Sequence, residues 1–428
     1  VTAGRQGAAD TDRTGSDTDV ETDFHALDEP SDGVPDVVDT PEGLARAVGS
    51  LTAGTGPVAV DAERASGYRY GQKAYLVQVR REGSGTWLVD PVPLPDLAPL
   101  AAVLSGPEWV LHAASQDIPC LDELGLRPAE LFDTELGARL AGLPRVGLSA
   151  SLEYYLGVTL AKEHSAVDWS TRPLPEPWLR YAALDVELLV QLRDRMERDL
   201  EEQGKLGWAR QEFAALCEFV PQRDRDPEPW RRTTGTQRLR NRRNTAALRE
   251  LWLARDQIAR DRDVAPGRVL PDGTLVDLAT RLPRHASALA SDKPERSHSR
   301  QRRAEQGILR YQRTWLAAIR RAVELPEEEL PAPPARGDGP PPVRAWADRD
   351  PEAAERLTVA RAALARLSEE VDVPVENLMT PDTFRRVLWR PPTPPTAGSI
   401  EDALAELGAR PWQRELVGPV LLAAIRPA

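Results

Sequence analysis

"VAVDAERASGYRYGQKAYLVQV" (residues 58–79) ends an apolar run on two carboxylates, Asp61 and Glu63. In a strand, side chains alternate, so residues two apart face the same side. Two like charges on one sheet face repel unless a cation sits between them. Taken alone, Asp-x-Glu is a weak signal, and a strand closing in a polar turn is its ordinary explanation. A metal site needs further carboxylates from elsewhere in the chain.

Outward from this stretch, "PVAVDAE", "AYLVQVRR" and "TWLVDP" predict three strands joined by glycine-containing turns. "LAPLAAVLSG" predicts a helix, "EWVLHAAS" a fourth strand feeding a helix at "DIPCLDELGL", and "LFDT" a fifth strand. From 135 to about 203 the period is helical, ending in one charged helix over 177–203 that Gly204 stops. Strands followed by alternating helix and strand imply a mixed α/β sheet covered by helices.

The 428 residues are 41% hydrophobic and 29% charged, which fits two to four soluble globular domains. No run of eighteen apolar residues and no secretion signal is present, so a cytoplasmic protein is expected. Cys120 and Cys217 can make neither a disulfide framework nor a cysteine zinc site. The five histidines show no paired spacing on one helix face. A catalytic metal must then rest on oxygen ligands, which favours Mg²⁺ or Mn²⁺.

The net charge of −12 is uneven. Residues 1–40 hold eleven Asp/Glu and two Arg, leaving only −3 for the remainder. That segment is expected to be a disordered acidic tail. Residues 41–217 form the predicted α/β domain and 218–239 a connector. Two all-α modules, 240–325 and 350–428, flank a proline-rich linker at 326–349. "VAPGRVLPDGTLVDLA" and "VPVENLMTPDTFRRVL" mark an internal repeat: Pro266 and Pro374 are each followed by an apolar residue four positions on, then Asp272 or Asp382.

Two further sites carry carboxylates. "LHAASQDIPCL" places Asp117 at the start of a helix, where an N-cap aspartate is the simpler account. "YAALDVELL" places Tyr181 and Asp185 four apart on one helix face. The order Asp-x-Glu, Asp, Tyr-x-x-x-Asp resembles the DEDD family of 3′→5′ exonucleases, and within it ribonuclease D. The resemblance extends through "ASGYRYGQKAYLVQVR", "HAASQD" and "DWSTRPLPEPWLRYAALDV" and covers about residues 55–205. The two helical modules are similar to the HRDC domain that the family carries.

The resemblance implies a ribonuclease-H-like mixed-sheet fold and two divalent cations. Asp61 would bridge them, with Glu63 and Asp185 completing one and Asp117 holding the other partly through water. Tyr181 would orient or help deprotonate the attacking water, and no His at 180 or 182–184 offers the alternative subclass. The implied activity is a monomeric 3′→5′ exoribonuclease that releases nucleoside 5′-monophosphates, with tRNA precursors as substrates. A DNA exonuclease and an inactive nucleic-acid-binding adaptor are the competing expectations; nothing in the motif selects the sugar.

Other residues are left with bland roles. His112 is expected to make a core hydrogen bond and His164 to lie in a loop. Tyr68 and Tyr70 fit base stacking and loop packing equally. Arg172 has either phosphate or Asp168 as its expected partner. The basic runs 231–243 and 296–313 are either solvated surface or phosphate contacts.

Overall fold

The computed structural model describes residues 25–160, 167–219, 227–290, 298–332 and 339–426. At its centre lies a six-stranded mixed sheet. In chain order the strands are β1 (His25–Leu27), β2 (Val37–Val38), β3 (Thr55–Arg64), β4 (Ala74–Glu82), β5 (Gly85–Val89), β6 (Trp109–Leu111), β7 (Leu131–Asp133) and β8 (Val158–Leu160). The large sheet runs β2-β5-β4-β3-β6-β7, and β1 pairs with β8 in a separate two-stranded sheet. The β3–β4–β5 meander is antiparallel, whereas β6 and β7 add parallel to β3. Val58, Ala59 and Val60 are wholly buried on consecutive positions, as expected of a central strand covered on both faces.

Among the described residues, eight α-helices complete this domain: α1 (Pro41–Ala53), α2 (Ala98–Leu104), α3 (Ile118–Asp122), α4 (Thr134–Leu140), α5 (Leu148–Leu156), α6 (Glu176–Glu187), α7 (Leu189–Glu202) and α8 (Leu206–Cys217). The single charged helix expected over 177–203 is broken at Leu188, whose φ of −115° and ψ of 8° are not helical. The break lets Ala182 and Ala183 of α6 pack near Leu76 and Leu88 of the sheet. Leu189, Leu192 and Met196 of α7 join the main core instead. Gly204 then ends α7 with a left-handed φ of 70°.

The first helical module contains α9 (Arg242–Asp261), α10 (Pro266–Val269), α11 (Asp272–Arg281), α12 (His298–Arg310) and α13 (Gln312–Glu324). The second contains α14 (Trp346–Arg349), α15 (Pro351–Val371), α16 (Val375–Leu378), α17 (Pro381–Trp389), α18 (Ala397–Glu406) and α19 (Pro411–Ile425). The internal repeat is real, but its register differs from the proline alignment. Both long helices turn through a left-handed aspartate, Asp263 at φ 46° and Asp372 at φ 49°. That places Ala265, not Pro266, opposite Pro374.

Three boundaries also move. Residues 25–40 are not part of a tail: β1 pairs with β8 and β2 with β5, because Leu27, Val37 and Val38 are apolar islands in an acidic stretch. The connector over 218–239 contributes Trp230 to the core of the first module. The linker over 326–349 contributes Leu330 to the first module and a fully buried Trp346 to the core shared with the second. In each case one large apolar side chain outweighs the polar composition around it.

Candidate active site

The site lies where β3 ends. Asp61 pairs across the sheet with Gln78, and Glu63 with Leu76. Both carboxylates lie on the face of β3 that α6 covers, and the small side chains of Ala182 and Ala183 pack that helix against the sheet. Asp185 comes off α6 so that one oxygen each of Asp61, Glu63 and Asp185 lie within 4.8 Å of one another. Tyr181 stands one turn earlier on α6, beside Asp185, and its ring centroid is 6.4 Å from that of Trp169.

Asp117 stands beside this trio. It occupies the N-cap position of α3, but its side chain makes no capping hydrogen bond. Its Oδ1 instead lies 3.6 Å from Nη2 of Arg64, so the simple capping account fails. Asp117 is only 6% exposed.

The electrostatics follow from burial and crowding. Asp61 is raised above the usual carboxylate range by burial, partly offset by the Ala62 amide and Arg64. Glu63 is raised well above it by burial and by Asp61, Asp185 and Asp117. Asp117 is raised by burial and Asp61, and Asp185 by burial and Asp61. Burial, then Asp185 and Glu63, hold Tyr181 as a phenol. A cluster of oxygen donors that repel one another in this way suits a divalent cation.

The turn that presents Asp117 depends on Asp133, which the sequence did not single out. Asp133 Oδ1 accepts from the amides of Ala113 (3.0 Å), Glu135 (2.9 Å) and Leu136 (3.2 Å), and Oδ2 from Ala114 (2.9 Å). It thus caps α4 and fixes the turn containing Ala113, whose φ is 61°. The available signal was a polar residue closing the strand "LFD" just before a helix.

Other candidates fall elsewhere. His112 pairs through Nδ1 with Thr134 Oγ1 at 2.9 Å, and burial lowers its pKa to about 4. His164 lies outside the described residues. Arg172 does not pair with Asp168 among the described residues. It binds Asp90 in bidentate fashion, at 2.5 and 2.8 Å, and donates to the Tyr75 carbonyl. Asp168 accepts from Ser170.

Tyr68 and Tyr70 meet the first helical module. Tyr70 donates to Asp256 Oδ1 at 2.8 Å, and the Arg268 guanidinium lies 4.1 Å over the Tyr68 ring. The Ala265 amide donates to the Tyr68 carbonyl at 3.0 Å. The loop leaving the active-site strand is therefore held by the helical module. Within the first basic run, Arg231, Arg242 and Arg243 donate to carbonyls at 332, at 330 and 331, and at 322, 323 and 325 respectively. For these three the surface-contact expectation gives way to a structural one.

Comparison with known proteins gives the same picture. A family model described as 3′-5′ exonuclease matches residues 35–201, an HRDC domain model matches 244–306, and a model described as 3′ to 5′ exonuclease C-terminal domain matches 339–425. Ribonuclease D of Pseudomonas paraeruginosa is 33% identical over 360 residues, which cover 83% of this chain and 88% of that one. A crystal structure of a protein from Bifidobacterium adolescentis aligns with TM-score 0.82 and 37% identity, covering 94% and 99% of the two chains. Escherichia coli RNase D, titled an exoribonuclease involved in structured RNA processing, aligns with TM-score 0.65 and 26% identity over 92% and 99%. The sheet, the acidic cluster and these matches define a hydrolytic 3′→5′ exonuclease followed by helical domains. The chain belongs to the ribonuclease D family. No helix among the described residues is long and apolar enough to cross a membrane.

Proposed function

We propose that the chain removes nucleoside 5′-monophosphates from RNA 3′ ends, tRNA precursors and other stable RNAs among them, in the cytoplasm and as a monomer. The observation that carries this reading is the convergence of Asp61, Glu63 and Asp185 within 4.8 Å beside Tyr181. Asp61, Glu63 and Asp185 would hold one Mg²⁺ or Mn²⁺, and Asp61 with Asp117 a second. When bound, such a pair polarises the attacking water and neutralises the leaving oxygen of an in-line displacement.

The chain's own residues supply orientation. Tyr181 stands beside Asp185 at the edge of the cluster, where its hydroxyl can hydrogen-bond to the attacking water. Trp169 packs against the Tyr181 ring and is itself backed edge to face by Trp178 at 5.6 Å. Asp133 holds Asp117 in place through the 113–116 turn.

The test uses matched RNA and DNA single strands, labelled at the 5′ end, with and without Mg²⁺. Stepwise shortening of the RNA from its 3′ end, dependent on the cation, is expected. Equal activity in chelator, or preference for the DNA strand, overturns the reading.

A further inference from the structure

We infer that Arg64 is a mobile counter-charge of the active site, shielding Asp117 before the second cation arrives and then contacting the phosphate of the RNA. The inference rests on the two-cation reading above and adds a residue that the motif does not contain.

Three observations support it. First, Arg64 is the last residue of β3, directly after Glu63, and the β3–β4 register slips between these two positions. Such irregularities increase strand twist and re-aim a side chain, here toward Asp117. Second, the contact is loose. At 3.6 Å the Arg64–Asp117 pair is an ion pair too long for a hydrogen bond, the Arg64 side chain is 24% exposed, and no hydrogen bond from its guanidinium occurs among the described residues. Arg172 shows the contrast: its guanidinium is locked onto Asp90 at 2.5 and 2.8 Å. Third, the Arg64 charge bears on Asp61, Glu63 and Asp117 alike.

Charge matching then assigns the role. Four ionised carboxylates and one guanidinium leave a net −3. Two divalent cations carry the site to +1, which the single negative charge of a phosphodiester neutralises. Without Arg64 the cations would only balance the carboxylates, and the incoming phosphate would meet no net attraction. A guanidinium also matches phosphate oxygens in its fork geometry, and the long arm can turn from Asp117 to a neighbouring anion.

The experiment compares wild type with Arg64→Gln and Arg64→Lys in the full chain. Mn²⁺ is titrated calorimetrically without RNA, and KM and kcat are measured on a 5′-labelled single-stranded RNA. Removing a positive charge beside a cation site tightens cation binding, so Arg64→Gln should bind the weaker Mn²⁺ about 3- to 10-fold more tightly. Losing a charge-assisted phosphate contact should raise KM for RNA about 10- to 100-fold in the same variant. Arg64→Lys should restore most of the wild-type Mn²⁺ affinity and only part of the RNA affinity. The opposite signs are diagnostic, because a merely structural arginine would weaken both. Both weakened, both unchanged, or tighter Mn²⁺ with unaltered KM overturns the inference. A wild-type chain that binds no Mn²⁺ at all overturns the site reading beneath it instead.

Discussion

Replacing Asp133 with alanine should loosen the active site from behind without touching a proposed metal ligand. Its two oxygens accept four backbone amides at 2.9–3.2 Å, and the residue is 3% exposed. Loss of the α4 cap costs about 0.5–2 kcal/mol. The amides of Ala113 and Ala114 would be left buried without acceptors, at about 1–3 kcal/mol each. Burial already raises the Asp133 pKa despite these bonds, so part of the loss is offset by no longer desolvating a carboxylate. The net expectation is about 2–5 kcal/mol, with Asp133→Asn costing less because its carbonyl oxygen in the Oδ1 place can still accept from Ala113, Glu135 and Leu136, leaving only Ala114 without its acceptor. Amide hydrogen exchange supplies the local readout: protection should fall at 113, 114, 135 and 136 together, and Mn²⁺ affinity should fall with it. Exchange that quickens only at 135 and 136, with unchanged Mn²⁺ affinity, would refute the idea that Asp133 holds the Asp117 turn.

Asp61→Asn should abolish cleavage while preserving the fold, since it removes the carboxylate shared by both proposed cations; near-normal activity in Mg²⁺ would count against the assignment. Tyr181→Phe should retain Mn²⁺ binding but lose about 10²–10⁴-fold in kcat, and an equal loss of metal affinity in calorimetry would make Tyr181 structural. His112 is a pH lever: the folded chain protonates it only near pH 4, whereas the unfolded chain does so near 6.5. Its neutral form thus contributes stability that is fully present above about pH 6.5 and gone below about pH 4, on the order of 3 kcal/mol. His112→Gln should flatten that part of the pH dependence in urea titrations at pH 7 and 4.5, and an unchanged slope would contradict the burial argument. Trp412→Ala should undock the second helical module, because this indole stacks on Trp208 at 5.2 Å and donates to Glu212 at 2.9 Å. About 3–5 kcal/mol is expected, and limited proteolysis between 339 and 345 should quicken.

The sequence made visible those parts of the site that are set by local periodicity. Asp61 and Glu63 share a face because a strand repeats every two residues, and Tyr181 and Asp185 because a helix brings residues four apart together. The mixed sheet followed from the alternation of strand and helix patterns. Asp117 was ambiguous, since an aspartate before a helix is usually a cap; only the missing cap bond and the Arg64 contact separate the two roles. Partners distant in sequence were invisible. Arg172 meets Asp90 across 82 positions and Asp133 meets Ala113 across 20, and no local pattern encodes either pairing. Composition misled wherever a few apolar residues decide the structure, as with Val37, Val38, Trp230 and Trp346.

The repeat explains how two similar modules can grip different parts of one nuclease domain. In each, the long helix ends on an aspartate in the left-handed conformation, which turns the chain sharply and leaves that corner projecting. In the first module the corner reaches the loop beyond Glu63: Asp263 lies 3.5 Å from Arg69 and accepts from the Tyr70 amide at 3.4 Å. In the second it reaches the far side, where the Asp372 carbonyl accepts from Lys205 at 3.1 Å. A Cβ at Gly142 would lie 2.1 Å from Asp372 Oδ2, so that close approach requires glycine, which its φ of 83° also favours. One corner therefore steadies the loop at the active site, and its repeat anchors a module behind the catalytic domain. Contacts of the first kind are the ones that can alter catalysis: Arg69, Tyr70 and Arg268 lie on a path from the helical module to the strand that carries Asp61 and Glu63, whereas Lys205 and Trp412 do not.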